Sequence, residues 1–553
     1  MLALISITTG LKSQDIPAGY ASERLLVCTD RTLYISGEKI FLSAVILNET
    51  DFPANEYSRI IYVELITPDG NRIAGGKYPV ENSSGQGCLQ IPAETITGIY
   101  YLKSYTRLMR NGGPDGYQYI MLKIVNPYKA EVLTGNDVKD ISNSPGKKPD
   151  KQNPGLLLSI STGKERYAPR ENIHLKINGN TGTSLSMKFC LSVIPELAYD
   201  ENALTRKITI SSYADLQYFP ETRGISLSGR LLEKESSRPL PNTMVNLSIT
   251  GDKDVMAIRT DSSGRFFFAL PGYAGNRDIF LCAEDLPENS PTIYIENDFC
   301  PLPVNLPSPE FYLTEKENET AYKMAVNHKL TSIFLDDSTS GKSNQPQNTK
   351  PFYGEPTEIL VMETYIDLPT IEDYFFELMG AVKVRESQGR KHFRFSTTRP
   401  EMTIYDPLVL IDWVAVDDIN RILAMSPKMI DRIELVNSPY IKGNITYGGI
   451  ISFVSKNKDY AGIDLPASGT FINYKFLEAC SDDLAKYPSA DNLPDSRNTI
   501  YWDPDVQTNE SGSADIFFTA PDTPGKYIIV ITGMGFQGEG VISREEIEVV
   551  GER

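Results

Sequence analysis

Short runs of apolar or alternating residues, each closed by a turn signal, recur along most of this chain. One run covers Ile60 to Ile66 and leads into a Pro68-Asp-Gly70 turn, and another covers Gly98 to Tyr105. Runs of this kind are typical of β-strands, and their regular spacing is typical of β-sandwiches. The 30 Tyr and 22 Phe agree, because aromatic side chains suit the half-buried surface of a pleated sheet. The pattern predicts a mainly β fold.

The first of these strand patterns returns later in the chain. Tyr34 precedes Glu38 in Tyr-Ile-Ser-Gly-Glu, and Tyr167 precedes Glu171 in Tyr-Ala-Pro-Arg-Glu. A long apolar or alternating strand follows in each case. The equal Tyr-to-Glu spacing predicts an internal repeat of one sandwich module.

A chain of 553 residues is expected to form several domains. Stretches rich in Pro, Gly, Asn and Asp suggest where they end. We expect tandem immunoglobulin-like sandwiches plus one α+β domain. The predicted segments are a signal peptide (1–14), a sandwich (15–128), a linker (129–155), a second sandwich (156–223), a third β unit (224–305), a helix and linker (306–355), the α+β domain (356–460), a connector (461–496) and C-terminal sandwich strands (497–553).

The segment from Met1 to Gln14 is an apolar run that ends in small and polar residues, as signal peptides do. It has no positive flank, and a first β-strand is the alternative. We expect export to the periplasm of a Gram-negative bacterium, with an association to the outer membrane as a further possibility. No other segment reaches the ~18 apolar residues of a membrane helix, so no direct membrane span is expected.

The net charge limits the class of partner. It is −18, with a pI of about 4.9. Nucleic acid is not an expected partner, because its recognition needs a basic face that replaces phosphate counterions. Adsorption to anionic lipid is disfavoured for the same reason.

The opening of the first sandwich resembles the macroglobulin-type domains of the alpha-2-macroglobulin family. The shared residues are Asp30-Arg-Thr-Leu-Tyr34 with Gly37-Glu-Lys, and Tyr501-Trp-Asp-Pro504 looks similar to a later domain of that family. The resemblance implies macroglobulin-like sandwiches at 15–128, 156–223 and 497–553. The family's reactive thioester joins a Cys to a Gln three residues later. Here Gln90 lies only two residues after Cys88, so that chemistry is not expected.

The third β unit resembles the transthyretin-like regulatory domain of carboxypeptidases. The residues that carry the resemblance are Gly229, Pro239-Leu-Pro and Thr260-Asp-x-x-Gly264-x-Phe266. Such a domain is non-catalytic. The resemblance implies a carboxypeptidase regulatory-like domain at 224–305.

Residues 356–460 resemble the plug domain of TonB-dependent outer-membrane transporters. The resemblance rests on Pro407-Leu-Val-Leu-Ile-Asp412, Ile430-Asp-Arg-Ile-Glu434 and Tyr447-Gly-Gly449-Ile-Ile. Trp413 occupies the turn position where that family usually has Gly. Too few residues follow Lys458 for a plugged transporter barrel of about 22 strands, so we expect a plug-like domain without its barrel. Trp413, Asp412 and Asp417 are the candidate partner-binding residues.

The plug-like region also predicts local structure. Val409 to Ile411 should form a central strand buried on both faces, because the run is apolar and bounded by Pro407 and Asp412. A helix from about Asp418 to Met425, with Asp418 as N-cap, should bury Ile419, Ile422 and Leu423. Gly448 and Gly449 should form a tight turn. Trp413 should project from its turn, either as a packing lid or as a contact hot spot.

The six cysteines have wide and irregular spacing, without a Cys-x-x-Cys motif. An exported chain meets an oxidising compartment. One disulfide, between Cys282 and Cys300, is the candidate, and most of the other cysteines are expected to be buried thiols.

No motif for catalysis, cofactor binding or metal binding appears in the sequence. The three histidines, His174, His328 and His392, are predicted to be surface residues without metal spacing. Asp503-Pro-Asp505 resembles the start of a calcium loop, but Thr508 and Ala514 occupy the positions that need Gly and Glu. We therefore expect no enzyme, no cofactor and no metal.

The prediction for function is a non-catalytic, modular protein that binds other envelope proteins. The partner could be an outer-membrane β-barrel, which would make the chain an accessory to a TonB-dependent transporter. The alternative is a carbohydrate- or protease-binding envelope protein that uses its sandwiches for recognition. Exposed, aligned aromatic rings would favour the carbohydrate version. The third hypothesis is a hydrolase whose motif was not detected, and turnover of envelope substrates would identify it.

Overall fold

The structure is a computed structural model that describes residues 23–48, 57–134, 158–179, 188–203, 216–284, 291–334, 350–387, 389–397, 399–442, 445–478, 480, 494–509, 512–534 and 540–551. The predicted signal peptide (1–14) lies outside these residues. The chain divides into two compact units, of which the first comprises 1–222, 300–339 and 478–553 and the second comprises 223–299 and 340–477. The described residues contain 32 strands and four α-helices, so the predicted mainly β fold is confirmed.

The strands and helices follow in chain order. The strands of the amino-terminal half are β1 (Glu23–Thr29), β2 (Leu33–Ile35), β3 (Lys39–Asn48), β4 (Ile60–Ile66), β5 (Arg72–Glu81), β6 (Ser84–Gln90), β7 (Gly98–Thr106), β8 (Gln118–Val125), β9 (Leu158–Thr162), β10 (Arg166–Tyr167), β11 (Asn172–Gly179), β12 (Lys188–Pro195), β13 (Ser226–Glu233), β14 (Met244–Ile249), β15 (Asp254–Arg259) and β16 (Arg265–Ala269). Those of the carboxy-terminal half are β17 (Asn276–Ala283), β18 (Pro291–Ile295), β19 (Glu358–Val361), β20 (Val382–Ser387), β21 (Arg390–Phe395), β22 (Leu408–Ile411), β23 (Val414–Ala415), β24 (Ile430–Val436), β25 (Tyr440–Lys442), β26 (Ile445–Tyr447), β27 (Ile450–Ser455), β28 (Thr470–Lys475), β29 (Tyr501–Gln507), β30 (Ser513–Thr519), β31 (Gly525–Met534) and β32 (Gly540–Val549). The helices are α1 (Glu315–Phe334), α2 (Ile371–Glu377), α3 (Pro400–Ile404) and α4 (Ile419–Leu423).

The first sandwich lies in unit 1 and uses β1 to β8. Strands β1, β3 and β6 form one layer, and β5, β4, β7, β8 and β2 form the other. The long strand β5 joins the layers, because it pairs with β4 over most of its length and with β6 at Val80 and Glu81. Alternation along β1 places Leu25 and Val27 in the core between the layers.

The second sandwich, also in unit 1, corrects the predicted domain boundaries. The segment 156–223 was predicted as a second sandwich and 497–553 as C-terminal sandwich strands, but the strands of both segments form one sandwich. Its sheets have the orders β10-β32-β31-β12-β29 and β30-β11-β9, and one apolar core combines side chains from both segments. The reason is burial: β11 pairs with β9 on one side, but β30 on its other side, β31 beside β12 and much of the apolar core come from the later segment.

The two sandwiches of unit 1 share the turn that the sequence repeat predicts. The N–H of Ile35 donates to Glu38 Oε2 at 2.7 Å, and the N–H of Ala168 donates to Glu171 Oε2 at 3.0 Å. In each sandwich the short strand before this turn pairs in parallel with the last strand, β2 with β8 and β10 with β32. The predicted repeat is therefore present in both hydrogen bonding and topology.

A buried polar network surrounds the first of these turns. Arg31 Nη2 lies 2.9 Å from Glu38 Oε2, and both side chains are buried. The Asn498 amide donates to Glu38 Oε1 at 2.7 Å and to the carbonyl oxygen of Met324, in α1, at 2.9 Å. Asn498 Oδ1 accepts from Asn327 Nδ2 at 3.1 Å. Every polar atom of the Asn498 amide therefore participates in a hydrogen bond.

Unit 2 contains a third sandwich and the region predicted to be plug-like. The sandwich has the sheets β16-β13-β18 and β15-β14-β17-β28, and the other region has a five-stranded sheet of order β19-β24-β27-β22-β23. Strand β28 comes from the predicted connector (461–496) and pairs with β17 from Asn276 to Leu281. The connector is thus partly a sandwich strand, which its sequence did not indicate.

Local predictions for this region are largely correct. Strand β22 is buried on both faces, although β27 occupies the centre of the sheet. Helix α4 begins after Asp418, whose side chain accepts the N–H of Asn420 at 3.1 Å, and it buries Ile419 and Ile422. Gly449 has a φ of +119°, and a Cβ on it would lie 2.5 Å from the Phe395 ring. Only glycine fits this turn.

Candidate functional site

In unit 2, the five-stranded sheet covers the outer face of the sandwich sheet β15-β14-β17-β28. Polar residues on that face are therefore buried. On β14 the side chains of Val245, Leu247 and Ile249 alternate with those of Met244, Asn246 and Ser248. The register puts Val255 opposite Ser248 and Cys282 opposite Asn246, so these residues share the outer face. Val255 packs in an apolar cluster with Leu408, Leu410 and Trp413, and Cys282 packs against Val414. The two sheets therefore meet through apolar side chains.

Trp413 belongs to this apolar contact and is not an exposed hot spot. Asp412 and Trp413 form a two-residue hairpin loop between β22 and β23, with φ values of 46° and 63°. Such loops favour Asp-Gly because both positions need a positive φ. Trp413 is only 4% exposed, and the Lys253 ammonium group lies 5.0 Å from the centre of its ring. Of the two alternatives predicted for Trp413, its burial agrees with the packing lid.

Asp412 has a structural contact set. Its carboxylate accepts the N–H of Ser455 at 2.8 Å, the hydroxyl of Ser455 at 2.5 Å and the N–H of Tyr460 at 2.9 Å. The side chain is buried. Asp412 joins the hairpin loop to the segment that follows β27. Because these hydrogen bonds give it a structural role, we do not propose it as a partner-binding residue.

Asp417, the third candidate, is exposed and lies at the rim of a cavity of about 460 Å³. The cavity opens where the sandwich sheet and the five-stranded sheet of unit 2 meet. Its wall is formed by Met244, Asn246, Arg259, Glu284, Arg390, His392, Phe393, Asp406, Pro407, Leu408, Val409, Val416, Asp417, Ile419 and Tyr447. His392, predicted to be a surface residue, is half-buried in this wall.

Asn246 is the unusual residue of this cavity. It is 1% exposed, and neither its amide oxygen nor its amide nitrogen has a hydrogen-bond partner among the residues that the structure describes. A buried polar group without a partner costs about 1–3 kcal/mol of stability, and native proteins contain few of them. An unpaired amide in a cavity wall indicates a place where an outside group can bind.

Several other polar groups of the cavity have partners. Arg259 Nη1 lies 3.9 Å from Glu284 Oε2 and donates to the carbonyl oxygen of Asn242 at 2.9 Å. The Tyr447 hydroxyl contacts the sulfur of Met244 at 3.8 Å. Burial raises the pKa of Tyr447, and the Asp417 carboxylate raises it further, so the phenol stays neutral and can donate a hydrogen bond. The rim thus carries charges of both signs above an apolar floor.

A hairpin beside the cavity adds positive charge. Lys383 lies opposite Arg394 and Arg385 lies opposite His392 in the pairing of β20 with β21. Like charges directly opposite each other destabilise a sheet. Asp406 forms an ion pair with Arg394 and so offsets the repulsion between Arg394 and Lys383.

Unit 1 has a cavity of similar size, about 430 Å³, with different chemistry. Its charged side chains pair with one another: Lys123 Nζ lies 2.7 Å from Glu317 Oε1, and Arg544 Nη1 lies 3.2 Å from Glu201 Oε1. The Thr32 hydroxyl accepts the N–H of Asp200 at 2.8 Å. These pairs leave no buried amide for a ligand comparable to that of Asn246, so the unit 2 cavity is the stronger candidate.

The two cysteines of the candidate disulfide lie in different surroundings. Cys282 and Cys300 are both buried thiols without a disulfide between them. Cys282 packs with Phe280 and Val414, whereas Cys300 lies in unit 1, where its carbonyl oxygen accepts from Lys103 at 3.3 Å. Gln90, two residues after Cys88, donates its amide to the carbonyl oxygen of Gly37 at 2.6 Å.

Two whole-chain properties complete the description. No group of three or more His, Cys, Asp or Glu side chains within the described ranges has the arrangement of a metal site. The helices in the same ranges include none that is both long enough and apolar enough to cross a membrane.

Comparison with known proteins finds structural likeness only. No family model matches the sequence, and no curated protein matches it. The structure of Escherichia coli alpha-2-macroglobulin activated by porcine elastase aligns over 96% of this chain and 44% of its own, with 10% identity and a TM-score of 0.24. Salmonella alpha-2-macroglobulin reacted with methylamine aligns over 96% of this chain and 40% of its own, with 9% identity and a TM-score of 0.24.

A third solved structure, the Yersinia pseudotuberculosis adhesin InvE, aligns over 50% of this chain and 60% of its own, with 11% identity and a TM-score of 0.14. This chain spans less than half the length of the two macroglobulins above. TM-scores of this size do not establish a common overall fold. The macroglobulin-like, regulatory-like and plug-like resemblances remain those of the sequence.

Proposed function

We propose that this protein is a non-catalytic binding protein of a Gram-negative envelope, and that the unit 2 cavity receives a short segment of a partner protein. The observation that carries the proposal is the unpaired, buried amide of Asn246 in the cavity wall. The proposed location is the periplasm, with envelope proteins as partners. An outer-membrane β-barrel is the partner that the plug-like sequence favours.

The amide of Asn246 matches a peptide group. Asn offers one acceptor and two donors side by side, and a peptide group offers one donor and one acceptor. A bound backbone or an Asn or Gln side chain would satisfy both ends of Asn246 at once. This would recover the free energy lost by burying the amide, about 1–3 kcal/mol, when the partner binds.

The rest of the wall supports a peptide over a sugar. Leu408, Val409 and Ile419 supply an apolar floor that suits an aliphatic or aromatic side chain. A cavity of about 460 Å³ holds a few side chains and excludes a folded domain. Its two aromatic rings, Phe393 and Tyr447, are themselves buried and present no open platform for stacking a sugar ring.

Charge at the rim suggests the composition of the segment. Lys383, Arg385 and Arg390 lie on the hairpin beside the cavity, in a chain with a net charge of −18. Acidic residues next to the inserted apolar side chain would relieve the like-charge opposition in this hairpin. We therefore propose an acidic partner segment with at least one apolar side chain.

The wall leaves out several common covalent nucleophiles. Its residues include no Ser, Thr, Cys or Lys that could act as a nucleophile. Its imidazole, His392, contributes to a mixed-charge rim, and no motif in the sequence supplies a catalytic partner for it.

Photo-crosslinking in native envelopes tests the proposal. p-Benzoylphenylalanine at Asp417 reports on the cavity rim, and the same group at Tyr322, which is 72% exposed on α1, is the control position. We expect a discrete protein adduct from position 417 and none of the same mass from position 322. The adduct should disappear when the chain also carries Asn246→Leu.

A control substitution shows whether the loss of the crosslinked adduct is specific to Asn246. Asn473 is exposed on β28, and its amide donates to Asp278 Oδ1 at 2.8 Å, so Asn473→Leu changes the same residue type outside the cavity. The adduct should persist in that background. An adduct that survives Asn246→Leu, or that forms equally from position 322, would contradict the proposed site.

A further inference from the structure

Four of the six cysteines meet in pairs within unit 1. The first pair is Cys28 on β1 and Cys190 on β12. Alternation turns Cys28 away from the core of the first sandwich, and it turns Cys190 away from Phe189 and Leu191, which lie in the core of the second. The two side chains meet in the space between the two sandwiches.

One small cavity contains both side chains. Cys28 and Cys190 line it together with Ser43 and Thr532, and its volume of about 20 Å³ admits at most a water molecule. The Cys190 thiol donates to the carbonyl oxygen of Thr532 at 3.2 Å. It is also in hydrogen-bonding contact with the Cys28 thiol, and this contact, together with burial, raises the pKa of Cys190.

The second pair is Cys88 on β6 and Cys480, where the chain returns to unit 1. The N–H of Glu478 donates to the carbonyl oxygen of Lys77 at 2.9 Å, which brings the returning segment alongside β5. The Tyr78 hydroxyl donates to the carbonyl oxygen of Cys88 at 2.7 Å. The Cys480 thiol contacts the Cys88 thiol, and this hydrogen bond lowers the pKa of Cys88, with Lys39 acting in the same direction.

We propose that Cys28 with Cys190, and Cys88 with Cys480, are two disulfide sites of this protein, closed by a disulfide-bearing oxidant of the thiol–disulfide oxidoreductase class. The pairing rests on the geometry of unit 1 alone. Closure in the cell rests in addition on the proposed envelope location, because disulfides persist in oxidising compartments.

The chemistry of each closure is thiol–disulfide exchange. A cysteine thiolate attacks one sulfur of the oxidant, and the oxidant's other sulfur leaves as a thiolate that takes up a proton. The second cysteine, as its thiolate, then attacks the mixed disulfide. One protein S–S bond forms, two S–H bonds are lost, and the oxidant is reduced to two thiols.

The two bonds would hold different parts of unit 1. The Cys28–Cys190 bond would join the first sandwich to the second. The Cys88–Cys480 bond would anchor the returning chain to β6. Both close very long loops of chain, the arrangement in which a cross-link restricts the unfolded state most.

Oxidation of the purified full-length chain tests the pairing. The chain is reduced, freed of reductant and exposed to oxidised glutathione. It is then denatured and alkylated with N-ethylmaleimide, so that buried thiols also react, and mapped by peptide mass spectrometry without reduction. We expect linked peptides for 28 with 190 and for 88 with 480, and alkylated thiols at Cys282 and Cys300. Reduction of the oxidised chain should lower its Tm by roughly 5–10 °C.

Variants make the result specific. Cys190→Ser should remove only the first linked peptide, Cys88→Ser only the second, and Cys282→Ser neither. A folded chain, checked by circular dichroism, in which Cys28 or Cys88 stays fully alkylated or links to another cysteine would overturn the pairing. Alkylation inside living cells tests the location separately. If the four cysteines are thiols in the cell but form the two expected disulfides with oxidised glutathione in vitro, the disulfide sites stand and the envelope location is overturned.

Discussion

Two buried asparagines, Asn498 in unit 1 and Asn246 in unit 2, differ in whether their amides have hydrogen-bond partners in the protein. Asn498 in unit 1 is 6% exposed and uses its amide in hydrogen bonds to Glu38, Met324 and Asn327. Asn246 in unit 2 is 1% exposed and has no such partner among the described residues. The first amide completes an internal network and therefore stabilises the fold. The second carries a cost that a bound outside group would offset, and this difference is the basis on which we propose binding in unit 2.

The largest expected effect comes from breaking the network around Asn498. Glu38→Ala removes the carboxylate that lies 2.9 Å from the buried Arg31 guanidinium and leaves Asp30, at 3.7 Å, as its ion-pair partner. Removing one member of a buried ion pair costs about 3–5 kcal/mol. Denaturant unfolding, with hydrogen exchange to locate the change, should show this loss in unit 1. Glu171→Ala at the equivalent turn, where Lys164 is exposed, should give a far smaller change. Equal losses at the two turns would contradict the account of the repeat.

Trp413→Gly tests the contact that buries Asn246. The substitution removes a buried ring from the apolar cluster, at a cost of about 3–5 kcal/mol, and glycine recovers about 1 kcal/mol at a positive φ. We expect a net loss of about 2–4 kcal/mol in unit 2, measured by denaturant unfolding. Met244 and Ala257 should gain hydrogen-exchange exposure on the same sheet face. A gain in stability would mean that backbone strain outweighs packing at this loop.

Asn498→Leu tests the comparison of the two asparagines in unit 1. Leucine has a similar size but removes the hydrogen bonds of Asn498 to Glu38 Oε1 and to the amide nitrogen of Asn327. We expect a loss of about 1–3 kcal/mol, because unsatisfied buried polar groups carry that cost. Thermal unfolding of unit 1 should record it. A neutral result would mean that water replaces the asparagine and that the network is less closed than its distances indicate.

The smallest effect is a difference in pH dependence between two acids of unit 1. The hydrogen bond from Lys164 lowers the pKa of Glu171 below its usual 4.5, and burial raises the pKa of Glu23 above it. Stability from Glu171 is therefore present above about pH 4.5 and is lost as the pH falls through its lowered pKa. For Glu23 the sign is opposite, because the protonated form is favoured in the fold.

Comparison with glutamine variants measures both signs. The Tm difference between the native chain and Glu171→Gln should shrink as the pH falls below 4.5. The difference between the native chain and Glu23→Gln should grow in favour of the native chain as the pH falls from 7 towards 4.5. Parallel curves for the two variants would contradict these assignments.

The sequence was sufficient for features set by local pattern. Alternation identified strands such as β1, Asp418 identified the start of α4, and the Tyr-to-Glu spacing identified a repeat that the structure shares down to its hydrogen bonds. Each of these depends on residues a few positions apart, for which periodicity and capping are direct signals.

Long-range features could not be read in this way. Nothing local in β11 indicates that its neighbour β30 begins at Ser513, more than three hundred residues further along the chain. The turn pattern could not decide between a packing lid and a contact hot spot for Trp413, because the sheet face that covers it comes from distant residues such as Val255. One signal for the covered face was available: Phe280 and Cys282 make the outer side of β17 apolar, which is unusual for a sandwich strand facing water.

The most direct test of the central claim is the stability of Asn246→Leu, measured by thermal and denaturant unfolding of unit 2 in the absence of any partner. If the amide is kept for a ligand, removing it should stabilise the isolated protein by about 1–2 kcal/mol, since an unpaired buried amide is replaced by an apolar side chain of similar size. Asn498→Leu should move in the opposite direction under the same conditions. A loss of stability for Asn246→Leu would show that the amide serves the fold and would contradict the assignment of this cavity as the binding site.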